Sequence, residues 1–262
     1  MRVLKRSWMP LLAAVCVSVF TLSVVPSAVV SADEGQGTQA PVPSTIVPVD
    51  RLGEAHWKAR HEEKKARLAE GSVDLLLLGD SITNYWDTTG LAVEEYYYGD
   101  RNCVDLGFGS DKTQHLLWRL NDSPMDKIHP KAAMILIGIN NIRENTEEEI
   151  ALGIKVNVDK MVGLYPDIKI LLLNIFPIGE KDDPIREKIA ATNALLPEMF
   201  KDYPNVTLMD ISYLWLEEDG TIPTDLMYDG VHPTEYGYKI WGAAVEPVIS
   251  EMLGDQPKAR ME

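Results

Sequence analysis

Val73-Asp74-Leu75-Leu76-Leu77-Leu78-Gly79-Asp80-Ser81-Ile82-Thr83 decides the fold. A short, almost unbroken apolar run closed by a glycine reads as a strand covered on both faces, which implies a parallel sheet between layers of helix. Ser81 then stands at the strand's carboxyl end. In open α/β sheets that edge is where ligands bind, because loops and helix N-termini line the crevice outside it. Gly79 permits a tight turn, so the next helix can start at once and present the Ser81 hydroxyl beside backbone N–H groups. The plainer reading is that Asp80 or Ser81 only caps that helix.

Outward from this strand the same pattern repeats. Apolar runs recur at Cys103–Phe108, Ala132–Ile137, Ile168–Ile175 and Val206–Ile211, giving five strands in all. Helical stretches lie between and around them: Leu52–Ala69, Thr113–Leu120, Glu147–Leu164, Ile185–Phe200 and Glu235–Leu253. Strands separated by helix-length segments predict right-handed crossovers and an α/β fold with the sheet between helices. Strand order does not follow from the pattern. Residues 51–254 contain no second linker and no repeat, and read as one domain.

The strand ends carry chemistry. The second run closes at Gly107-Phe108-Gly109-Ser110-Asp111, where Gly109 offers an unobstructed N–H, and the third at Gly138-Ile139-Asn140-Asn141, where Asn140 offers a carboxamide. A simple turn at Gly109 and an Asx-turn at Asn140 are the structural alternatives. Ser, Gly and Asn delivered to one sheet edge suit acyl transfer, because fixed N–H donors must meet the oxyanion of the tetrahedral intermediate. Serine needs a base, and Asp229-Gly230-Val231-His232-Pro233, between the last strand and the last helix, supplies one. The chain can fold back across Gly230 so that Asp229 holds one imidazole nitrogen of His232 while the other faces Ser81. The alternative is a loop histidine bonding a local aspartate. His115, among Leu116, Leu117 and Trp118, reads as packed and His129 as structural, while His56 and His61 are spaced wrongly for a metal pair.

The start of the chain has its own signal. Arg2, Lys5 and Arg6 precede an apolar run from Leu11 to Val25, and Val30-Ser31-Ala32 supplies small residues before a cut. About 15 apolar residues fall short of the ~20 that span a bilayer, so residues 1–32 predict a cleaved signal peptide, a secreted or periplasmic protein and no stable membrane anchor. Residues 33–50, rich in Gly and Pro, read as a flexible linker, and 255–262 as a tail. Loss of Cys16 with the signal leaves Cys103 unpaired, so core burial rather than cross-linking must hold the fold. A hydrophobic content of 45% allows a large core, and a formal net charge of −15 argues against nucleic acid as a partner. The Asn205-Val206-Thr207 sequon is a possible modification site only where the host glycosylates.

Taken in order, Gly79-Asp80-Ser81, Gly109, Gly138-Ile139-Asn140 and Asp229-Gly230-Val231-His232 resemble the signature blocks of the GDSL or SGNH hydrolase superfamily. Gly107–Leu120, Asn140–Thr146, Phe176–Glu180 and Met227–His232 tighten the likeness to the platelet-activating-factor acetylhydrolase catalytic subunit branch. The resemblance covers about residues 55–250. It implies a flavodoxin-like three-layer α/β/α sandwich with a five-stranded parallel sheet, and a serine esterase without metal or other cofactor. It also implies Ser81 as nucleophile with Asp229 and His232, and an oxyanion hole from Ser81, Gly109 and Asn140. Asn141 stands where the superfamily often has Asp, although this branch shares the double Asn. That subunit is intracellular, so the basic and apolar start is a second departure. The expectation is an exported esterase that removes acetyl groups from a carbohydrate, with an acetylated lipid or lysophospholipid as the alternative. A non-catalytic binding domain is the reading of another class. Tyr85, Trp86, Tyr96, Tyr97, Tyr98 and Tyr228 could line a sugar cleft or pack the core. Oligomeric state is not legible.

Overall fold

A computed structural model of the chain describes residues 41–262; the signal-peptide reading of residues 1–32 and the first part of the 33–50 segment lie outside it. The elements run α1 (Ala55–Ala69), β1 (Leu75–Gly79), α2 (Ser81–Asn84), α3 (Leu91–Tyr98), β2 (Cys103–Gly107), α4 (Thr113–Asp122), β3 (Ala132–Leu136), α5 (Glu147–Leu164), β4 (Lys169–Leu173), α6 (Ile185–Phe200), β5 (Val206–Met209) and α7 (Glu235–Leu253). All strand pairs are parallel, in the order β2-β1-β3-β4-β5. This is the flavodoxin-like order, with the switch point beside β1. Helices α4, α5 and α6 pack side by side in one layer, and α3 lies against α7 in another.

β1 explains its own sequence. Leu75, Leu76, Leu77 and Leu78 are each 0% exposed. A strand between two neighbours and two helical layers has no face left for a polar residue, and each buried leucine contributes roughly 2–3 kcal/mol. Helix α5 starts where its residues direct it: Thr146 Oγ1 accepts from Glu149 N–H, and Glu149 Oε2 accepts from Thr146 N–H at 3.1 Å. Helix α7 starts on a Thr234 cap and ends at Gly254 in the left-handed region, φ 76°.

Two glycines allow α2 to sit directly on the strand ends. A Cβ on Gly79 would lie 2.1 Å from Thr83 Oγ1 and 2.4 Å from the Leu136 carbonyl, and one on Gly107 would lie 2.1 Å from Asn84 N. No other residue fits at either position without displacing backbone.

The packed unit extends past both expected boundaries, over residues 41–262. Thr45, in the expected linker, is buried: its hydroxyl donates to the Glu149 carbonyl at 2.7 Å, and its carbonyl accepts from Thr113 Oγ1 at 2.9 Å. At the other end, Asp255 and Glu246 hold the Arg101 guanidinium, and Met261 N–H donates to the Tyr97 hydroxyl at 3.0 Å. Helix α3 is an element the apolar pattern did not mark. No helix among the described residues is long and apolar enough to cross a membrane.

Candidate active site

Because β1 lies between β2 and β3, the loops leaving these three strands are neighbours, with Ser81 in the middle. Ser81 opens α2, Gly109 follows β2 by two residues, and Asn140 lies in the 3-10 turn Ile139–Asn141 after β3. The fourth piece arrives from the far end of the chain. Met227 and Pro233 pair as an antiparallel bridge, closing a turn in which Gly230 has φ 73°. That turn projects His232 toward the serine.

Ser81 Oγ and His232 Nε2 are 2.8 Å apart, and His232 Nδ1 is 2.7 Å from Asp229 Oδ2. The other oxygen of Asp229 accepts from the N–H groups of His232 (2.7 Å) and Val231 (3.0 Å). Burial would raise this carboxyl, but the bonds from the His232 ring and from the two N–H groups outweigh it and hold it below the usual carboxylate range. Asp229 is therefore an oriented anion against the imidazole at neutral pH. Among the described residues no protein acceptor takes up the Gly109 N–H. Asn140 Nδ2 donates one hydrogen to the Asp111 carbonyl at 2.9 Å, which fixes the carboxamide and leaves its second hydrogen for a ligand.

The loop after β2 is braced from beneath. Asp111 is fully buried, and its carboxylate accepts from Arg51 Nη1 (2.9 Å), Trp57 Nε1 (2.8 Å) and Arg119 Nε (2.8 Å). Two guanidinium groups lie over the Phe108 ring, Arg119 at 3.9 Å and Arg60 at 5.2 Å from its centre. Asn141 is buried as well: it accepts from Thr113 N–H and donates to Gln114 and Asn145. Its carboxamide both donates and accepts, which an ionised aspartate cannot do, and this accounts for the double Asn. None of Arg51, Asp111, Arg60 or Arg119 stands out in the sequence, since their partners are distant along the chain.

The other candidates separate cleanly. Trp86, Tyr97 and Tyr98 are core residues at 0% exposure, and the Tyr96 hydroxyl donates to the Ala259 carbonyl. Tyr85 and Tyr228 alone of that set flank the imidazole, with ring centres 5.0 and 5.9 Å from that of His232. His61 stacks on Trp57 and bonds Asp122; burial lowers its pKa despite that carboxylate. His115 Nδ1 accepts from Lys112 N–H at the start of α4, and His129 is exposed.

Asp80 does cap α2, accepting from Ile82 N–H at 3.0 Å, while its second oxygen has no partner among the described residues. Burial pushes this carboxyl up to about 7 against the pull of that N–H, with the nearby Asp111 carboxylate adding to the rise. The folded protein thus holds a proton that the unfolded chain releases near pH 4. Stability from this group is complete below the unfolded value and is lost as pH rises through about 7. Asp80→Asn keeps the shape without the charge. Its melting temperature should match wild type at about pH 4 and exceed it at about pH 8 by several degrees, about 2–4 kcal/mol. A pH-independent difference would show that the carboxyl is not forced to ionise in place.

The model for the GDSL-like lipase/acylhydrolase family matches residues 77–240. Among curated proteins, the chain is 31% identical over 225 residues to platelet-activating factor acetylhydrolase IB subunit alpha2 of Rattus norvegicus, covering 86% of this chain and 97% of that one. The Homo sapiens protein of the same name is 30% identical over the same shares. Among solved structures, a GDSL-like lipase from Bacteroides thetaiotaomicron superposes with TM-score 0.60 at 20% identity, covering 75% and 98% of the two chains. An acetylxylan esterase from Geobacillus stearothermophilus superposes with TM-score 0.54 at 18% identity, covering 72% and 98%. The last two establish the fold. The first two correct the expected secreted or periplasmic location: over most of its length the chain matches subunits of the branch noted above as intracellular, and residues 1–32 lie outside the described structure.

Proposed function

Because this chain belongs to the GDSL-like lipase/acylhydrolase family and is a carboxylic ester hydrolase, we propose that it cleaves acetyl and other short-chain esters through an acyl-Ser81 intermediate. The observation that carries the reading is the unbroken line of hydrogen bonds from Ser81 Oγ through His232 to Asp229, at 2.8 and 2.7 Å. His232 Nε2 takes the hydroxyl proton as Oγ attacks the ester carbonyl, and Asp229 stabilises the imidazolium. The carbonyl oxygen gains its charge among the N–H groups of Ser81 and Gly109 and the free amide hydrogen of Asn140. Collapse expels the alcohol with the proton from His232. A water then loses its proton to the same nitrogen, attacks the acyl carbon and releases the carboxylic acid.

The acyl group proposed is acetyl and the alcohol that of a lipid, in line with the name platelet-activating factor acetylhydrolase carried by relatives at 30–31% identity. The carbohydrate expectation loses its premise with the corrected location. One observation keeps it as the second reading: the Tyr85 and Tyr228 rings beside His232 could stack on a sugar face. Rates across p-nitrophenyl esters from two to about ten carbons, followed by an acetylated glycerophospholipid and acetylated xylan, test both. We expect the acetyl ester to be preferred and the acetylated lipid to be hydrolysed faster than xylan. A rate that rises steadily with acyl length would overturn the acetyl assignment. Acid quenching of wild type during p-nitrophenyl acetate turnover should leave one acetyl group on the Ser81 peptide.

A further inference from the structure

Arg51 sits just ahead of α1, and its guanidinium reaches the loop after β2. One nitrogen, Nη1, donates both to the Gly109 carbonyl at 2.6 Å and to Asp111 Oδ1 at 2.9 Å. The remaining donors grip Glu54 in a bidentate pair, Nε at 2.9 Å and Nη2 at 2.7 Å, so the planar group cannot swivel. From these contacts we infer that Arg51 is a positioning residue for the oxyanion donors: it holds the Gly109 backbone and, through Asp111, the carboxamide of Asn140. The inference rests on the oxyanion role proposed above for Gly109 and Asn140.

Three features make this more than a surface ion pair. Gly109 lacks a Cβ and little space is filled around it, the nearest atom to a Cβ there being Asn84 Oδ1 at 3.9 Å. Its peptide planes are therefore free to rotate unless something holds them. The next residue, Ser110, has φ 61°, a left-handed conformation that a serine adopts only under constraint. A loop with one free and one strained residue needs a clamp, and Arg51 supplies it at the Gly109 carbonyl. Lastly, the same Asp111 whose carboxylate meets Arg51 offers its main-chain carbonyl to Asn140 Nδ2 at 2.9 Å. One guanidinium thus sets two donors that follow different strands.

Donors displaced by a fraction of an ångström lose transition-state stabilisation while ground-state binding hardly changes. Arg51→Met and Arg51→Lys should each lower kcat for p-nitrophenyl acetate by about 10–100-fold with KM within about threefold of wild type. The lysine variant separates positioning from simple stability: it can reach Asp111 and keep the melting temperature, yet it cannot bridge to the Gly109 carbonyl in the same plane. A double-mutant cycle completes the test. Arg51→Met loses both contacts, so its penalty should be smaller in the Asn140→Ala background, where the Gly109 donor alone is left to displace, than in wild type. Arg51→Lys with wild-type kcat, or an Arg51→Met penalty undiminished in the Asn140→Ala background, would overturn the assignment and leave the oxyanion reading standing. Wild-type activity in Asn140→Ala itself would remove that reading and this inference together.

Discussion

Replacing Ser81 or His232 by alanine is expected to lower kcat/KM for p-nitrophenyl acetate by about 10⁴–10⁶, and replacing both should cost no more than either alone. The reason is the 2.8 Å contact between Ser81 Oγ and His232 Nε2. A hydroxyl without a base is barely nucleophilic, and a base without the hydroxyl has nothing to activate, so the pair acts as a unit. Both residues are partly exposed and neither fills the core, so the variants should fold normally. Circular dichroism and melting temperature check that point. A Ser81→Ala protein retaining more than about a hundredth of the wild-type rate would contradict the acyl-serine route.

The second large effect is Asp229→Asn, for which we expect kcat to fall by about 10⁴ with little change in stability. The local geometry makes the loss specific. Asp229 Oδ1 is occupied by the N–H groups of Val231 and His232, so an asparagine oxygen will take that position. Its NH₂ group then faces His232 Nδ1, where Oδ2 now stands at 2.7 Å. An amide donor at that point forces the imidazole proton onto Nε2, facing Ser81, and the ring can no longer accept the serine proton. Steady-state kinetics measure the loss. A decrease smaller than about tenfold would show that Asp229 does not set the tautomer.

Much of this arrangement was legible before any coordinate. Helices α5, α6 and α7 begin and end at the bounds read for them from the sequence. The strands were legible because a sheet covered on both sides demands continuous apolar runs; Ser81 stood out as a candidate because it follows the end of one, and Asp229 and His232 because they form a short Asp-Gly-Val-His block ahead of the last helix. Strand order was hidden, since a crossover helix long enough to return to the sheet can reach more than one neighbouring position. Helix α3 was hidden because Glu94, Glu95 and three successive tyrosines carry no clean apolar stripe. Tyr97 and Tyr98 nevertheless bury completely where α3 packs against α7. Residues 41–50 read as loose because their prolines describe backbone propensity and say nothing of partners, yet Thr45 bonds across more than a hundred positions. Arg51 and Asp111 illustrate the same blindness. A half-buried ion pair spanning 60 positions leaves no local trace.

The hydroxyl and the imidazole that meet in this site are 151 positions apart, and the second is delivered by the turn leading into α7. Regained catalysis during refolding therefore reports one long-range docking event, the closing of α7 on α3, β3 and β4. A chain that has recovered its helical signal but lacks this step should stay inert. The lag between the two signals would time that docking.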